Sequence, residues 1–197
     1  MDNQELKIAQ LSAKQANSAE RQIKHISKGK ATDSEKDAIY GKESKFINLE
    51  IQNEADQNKH ISDLQSSQKA DGKEYGSTMI IEFGKDKATL QFGDNVQGTS
   101  ENISFKLYGS YENLKDKNGN TVVGTVHSHN HDRGLSGQGM DEQQGKGDMG
   151  MVEATKIPWY TVGPTTNHVG YVDPYGRVNH QIFKGTNMLL DALNKRK

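Results

Sequence analysis

Val122-Val123-Gly124-Thr125-Val126-His127-Ser128-His129 is the stretch on which the reading of this chain turns. Its first residues are continuously apolar or small, the mark of a central strand. The Asn118-Gly119 pair ahead of it is a tight-turn signal. The strand then runs through two histidines into a polar loop with glycines at 134, 137, 139, 145 and 147. Residues i and i+2 of an extended segment point the same way, so the two imidazoles can face one metal ion. After the loop, Asp148 opens a short helix that runs to Lys156 before Pro158 stops it. A carboxylate is favoured at that helix start.

Working outward, Thr78–Phe83 and Ala88–Phe92 flank Gly84-Lys85-Asp86 as a hairpin. Ile103–Tyr108 alternates as a half-buried strand should. Downstream, Trp159–Gly163 is a strand, and Val169–Val172 and Val178–Phe183 form a hairpin around Asp173-Pro174-Tyr175-Gly176. Thr186 is placed to cap a terminal helix carrying Met188, Leu189, Leu190 and Leu193. Upstream the character differs. Residues 1–70 are rich in Lys, Gln, Asn, Ser, Glu and Asp; a helix is expected over 33–52, and 53–72 reads as a polar helix or a linker. The expected organisation is a polar, mostly helical N-terminal extension over 1–70 and an α/β domain over 71–197.

Composition narrows the function classes. Apolar residues make up 31 % of 197, with 20 glycines besides, so part of the chain lacks a core of its own. A net charge of -1 gives no field that draws nucleic acid or an anionic membrane. The absence of cysteine removes disulfides, thiolate metal sites and cysteine nucleophiles, and leaves the compartment open. The start, Met1-Asp2-Asn3-Gln4-Glu5, has no Sec-type signal character, and no run has the length of a membrane span.

Histidine nitrogen and carboxylate oxygen are ordinary zinc ligands, and three of them with one open position is the catalytic arrangement. His127, His129 and Asp148 supply three, with Asp141 as the other candidate for the carboxylate. A general base is still needed to move a proton from the attacking water. Glu74 and Glu82, flanking the first strand of the hairpin, are the candidates. Ser136, in the loop between the ligands, offers a hydroxyl to a developing oxyanion; Ser128 offers another. His131-Asp132 directly after the histidine pair brings competing ligands.

Taken in order, Glu74-Tyr75-Gly76, then His127-Ser128-His129, then Ser136, then an aspartate opening a helix, resemble the JAB/MPN (JAMM) metalloproteases. The likeness is greatest to the JAB-like C-terminal domains of bacterial polymorphic and Rhs-type toxins, and it spans about residues 70–184. It implies a cytidine-deaminase-like fold, a mixed sheet between helices. It implies zinc held by His127, His129 and Asp148, with Glu74 as base and an amide or isopeptide bond as the substrate linkage. It also implies an effector setting, with a protein or peptide substrate and a neutralising immunity protein. The family places its aspartate three residues after the serine, whereas here twelve separate Ser136 from Asp148, and Gly145 stands at the position three before Asp148. Two rival readings are a metal-dependent nuclease built on His127–His131, which the charge disfavours, and a non-catalytic JAB-like scaffold.

Overall fold

A computed structural model describes residues 7–9, 46–83, 87–136 and 147–196. The strands are β1 (Lys7–Ala9), β2 (Phe46–Ile51), β3 (Tyr75–Phe83), β4 (Lys87–Gln97), β5 (Thr121–Ser128), β6 (Trp159–Val162), β7 (Asn167–Val172) and β8 (Val178–Phe183). The helices are α1 (Glu54–Asp71), α2 (Asp148–Thr155) and α3 (Met188–Lys195). All strands join one sheet in the order β1-β2-β4-β3-β5-β6-β7-β8. The β2–β4 and β5–β6 pairs are parallel and the rest antiparallel, so the fold is a mixed-sheet α/β architecture.

β5 lies between β3 and β6 and is buried along its whole length, as its apolar run demands. Two cores sandwich the sheet. On one face Leu64 of α1 and Met188, Leu189 and Ala192 of α3 pack on Met79, Leu90, Val126 and Tyr160. On the other, Val152 of α2 joins Ile80, Val122, Trp159, Ile157 and Val172. The register slips between Met79↔Gly124 and Ile80↔Val122, leaving Val123 as an extra residue. That bulge reverses the alternation of β5. It sends Val123 to the α1/α3 core and leaves Thr125 and His127 on the α2 face.

α1 has little apolar periodicity, which is why residues 53–72 read equally well as a linker. Its ends make it a helix. The Asn53 side chain accepts from Asp56 N at 2.9 Å, and Gly72 closes it at φ 74. Buried Gln57 docks it, donating to Gln52 O at 2.7 Å and accepting from Leu189 N at 3.1 Å. Among the described residues, no helix is long and apolar enough to cross a membrane.

Three expectations are corrected. The helix over 33–52 does not hold at its end, because Phe46–Ile51 is a strand paired in parallel with β4; residues 33–45 lie outside the described set. Ile103–Tyr108 joins no strand ladder. Burial alternates along it, and Phe105 and Leu107 pack on the α2-side core, but only Tyr108 bridges to a neighbour, Lys115. The cap of α3 is Asn187, whose side chain accepts from Leu190 N at 3.0 Å, in place of the adjacent Thr186. The hairpin turn at 84–86 also lies outside the described residues.

Candidate metal centre

The register of β3 on β5 builds the site. Gly76 pairs with His127, and Tyr75 N donates to Ser128 Oγ at 3.0 Å. Continuing that ladder one step sets Glu74 beside His129, with its carboxylate 3.8 Å from His129 Nε2. Glu74 is pinned through its backbone as well, donating to Thr99 O and accepting from Gly98 N, both at 2.8 Å. Gly76 has to be glycine. A Cβ there would sit 2.4 Å from Val126 O and 2.7 Å from the His127 Cβ. The β3 turn into the site thus carries a carboxylate and, two residues on, the gap that admits the His127 ring.

His127 Nε2 and His129 Nε2 are 2.9 Å apart, as alternation on an extended strand requires. His129 N donates to Val162 O at 2.9 Å, which holds the strand end against β6. His129 Nδ1 lies 3.0 Å from Gly134 O; a carbonyl only accepts, so Nδ1 carries the hydrogen and Nε2 keeps a lone pair. Phe105 and Trp159 wall His127, with ring centroids 6.4 and 6.2 Å away.

Asp148 arrives from α2. Its Oδ1 is 3.2 Å from His127 Nε2 and its Oδ2 is 3.6 Å from His129 Nε2. Ser136 holds it in place. Ser136 N donates to Oδ2 at 2.8 Å and Ser136 Oγ donates to the same oxygen at 3.0 Å. In return Asp148 N donates to Ser136 Oγ at 2.8 Å, and Met149 N to Ser136 O at 3.2 Å. The residue before Asp148 is Gly147, which has no side chain to cap the helix, so a serine twelve residues upstream does it. The long step from Ser136 to Asp148 is closed in space. The Ser136 hydroxyl is engaged with Asp148 on both counts.

Charge differs across the cluster. Burial pushes the Glu74 carboxyl up, Asp148 pushing the same way and His127 opposing. Burial alone would raise Asp148 too, but His127, His129 and the Ser136 N–H outweigh it and hold it well below the carboxylate range. Burial would lower His127, yet Asp148 and Glu74 reverse that and raise it. His129 is pushed down to about 4 by burial and by the neighbouring His127.

Among the described residues, Glu74, His127 and His129 each offer one ligand atom, all within 4.8 Å of one another, and this buried group could hold a metal ion. The donor set suits zinc or a similar ion: two imidazole nitrogens, one shown with its lone pair inward, and ionised carboxylate oxygen. Asp148 spans the two histidines with separate oxygens. Glu74, His129 and Asp148 line a cavity of about 510 Å³ together with Arg133, Leu135, Ser136 and Trp159.

The other candidates fall elsewhere. Glu82 is exposed at the far end of β3 and accepts from Gln91 at 2.6 Å. Asp132 accepts from Thr165 N and Thr166 N at 2.9 Å each and from Thr165 Oγ1 at 2.6 Å, tying the loop to the β6–β7 turn. His131 is exposed, its ring centroid 5.0 Å from that of His129. Ser128 Oγ faces away, receiving Tyr75 N. Asp141 lies outside the described residues. Sequence reasoning missed Phe105, Gly134 and the buried His168, and quoted Gly76 without its steric role. Only Gly76 carried a signal, its fixed spacing after Glu74. No known protein-family model matches the chain, and no curated protein sequence matches it.

Proposed function

We propose that this chain is a zinc-dependent metallopeptidase of the JAB type that hydrolyses an amide or isopeptide bond. The observation that carries this is the convergence of His127 Nε2, His129 Nε2 and the Asp148 and Glu74 carboxylates beside one cavity. His127, His129 and Asp148 are the ligands, and Glu74 is the base. The charge states support that division. A ligand must be ionised, and Asp148 is held so; a base works best with its pKa nearer neutrality, and Glu74 is raised. Zinc held there by His127, His129 and Asp148 would supply Lewis acidity to water and to the scissile carbonyl.

Glu74 takes the proton that water loses on adding to the carbonyl carbon. It returns that proton to the leaving nitrogen as the C–N bond breaks. Ser136 positions Asp148, while Phe105 and Trp159 wall the His127 ring. The resemblance to toxin-borne JAB domains supports an effector setting with a protein or peptide substrate and an immunity partner.

Elemental analysis, chelator competition and cleavage of peptide and isopeptide panels test this. About one zinc per chain is expected, as one three-ligand site requires. Asp148→Asn should weaken zinc by about 100-fold or more, whereas Glu74→Gln should keep zinc and lower kcat by roughly 10²–10⁴. Loss of zinc in Glu74→Gln with retention in Asp148→Asn would exchange the two roles, a ligand set that the Glu74–His127–His129 grouping favours. A wild-type chain that binds no metal ends the reading.

A further inference from the structure

Thr125 Oγ1, His127 Nδ1, Thr161 Oγ1 and His168 Nε2 are buried polar atoms without a hydrogen-bond partner, and all four belong to one patch. His127 pairs in register with Thr161 across β5–β6, and Thr161 with His168 across β6–β7. Residues in register share a face, so the three side chains stand in a row on the α2 side of the sheet. Thr125 is on the same face, two residues before His127. Their exposures are 0, 1, 1 and 8 % for Thr125, His127, Thr161 and His168. The row ends at exposed His180, whose Nε2 is 3.1 Å from His168 Nδ1.

The two histidines of the metal centre differ at their outer nitrogens. His129 Nδ1 is satisfied by Gly134 O at 3.0 Å, but His127 Nδ1 meets no protein acceptor. A neutral histidine that ligates through Nε2 carries its hydrogen on Nδ1, and such ligands nearly always donate it. The nearest side chain in register is Thr161, one strand away at about 4.8 Å, with His168 beyond it. A buried water needs two to four polar partners, and this patch supplies four atoms without any.

We propose that Thr161 is a positioning residue for His127. With His168 Nε2 and Thr125 Oγ1 it holds ordered water that accepts the His127 Nδ1 hydrogen and fixes the ring with Nε2 toward the metal. This rests on the metal reading above. Thr161 touches neither substrate nor metal and acts through His127.

The test uses the full chain with Thr161→Val and the conservative Thr161→Ser, after thermal melts establish that both fold. Thr161→Val should weaken zinc about 10–100-fold in chelator competition, and Thr161→Ser should restore it to within about threefold of wild type. A valine variant that binds as tightly as wild type overturns the proposal. So does a crystal structure showing no water within hydrogen-bond reach of His127 Nδ1 and Thr161 Oγ1. Nitrogen-15 NMR of the imidazoles in the metal-free chain separates this failure from that of the metal reading. If the wild type binds no zinc, a His127 Nδ1 shift that changes in Thr161→Val still supports the row, and an identical spectrum in the two proteins overturns it.

Discussion

The α2 face carries two histidine pairs of nearly equal closeness: His127 and His129 at 2.9 Å, and His168 and His180 at 3.1 Å. Burial works against the charged form at His127 and at His180. At His127 the carboxylates of Asp148 and Glu74 reverse the sign, so its pKa is raised. At His180 burial and then His168 both act downward, and the pKa falls. Among the described residues no third ligand joins the second pair. Proximity of imidazoles is therefore common to both pairs. What separates them is the delivery of carboxylates from two remote segments, the start of β3 and the start of α2.

The largest effect expected is at this difference. His127→Ala or His129→Ala should lower metal affinity by about 10³-fold or more, since removing one of three ligands opens the site. His180→Ala should leave stoichiometry unchanged. Two ions per wild-type chain, or an ion lost with His180, would break the contrast.

A smaller effect sharpens it. Ser136→Ala should cost about 1 kcal/mol of stability through the lost helix cap, read as a lowered Tm. It should also weaken metal about tenfold, because Asp148 loses a partner that aims it. A loss of stability with unchanged metal binding would reduce Ser136 to a cap alone.

A pH-dependent effect concerns a third imidazole environment. His60 stacks on Phe92 at 4.2 Å and its Nε2 lies 2.7 Å from Ser77 Oγ. Burial, helped by Lys59 and opposed by Asp63, pushes it down to about 4. Its folded pKa lies below the unfolded value near 6.5, so protonation favours the unfolded chain. Its contribution is complete above about pH 6.5 and is lost as pH falls toward 4. Melts from pH 7 to 4.5 should therefore drop more steeply in the wild type than in His60→Phe. Parallel curves would show that His60 is not linked to folding.

Much of the sheet was legible because β5, β6 and the β7–β8 hairpin announce themselves locally, by an apolar run or by a turn between alternating segments. Phe46–Ile51 did not, because its pairing partner in β4 is 39 residues on in the register Asn48↔Lys87, and nothing local distinguishes its pattern from a helix. Ile103–Tyr108 shows a different limit. Alternation reports which side chains meet the core, but it does not report whether the backbone has a neighbour. At the site, residue types and order were readable; the Ser136–Asp148 clamp was not, since separation along a loop says nothing of the distance between its ends. The confusion of Thr186 with Asn187 is a one-residue choice between two good caps.

The clamp between Ser136 and Asp148 also has an engineering consequence. It fastens Ser136 directly to Asp148, so the carboxylate that meets the two histidines is located independently of what lies between. Each doubling of a flexible connection's length costs only about 0.6 kcal/mol in closure entropy. Replacing or lengthening residues 137–146 is therefore expected to leave the Asp148 carboxylate beside His127 and His129.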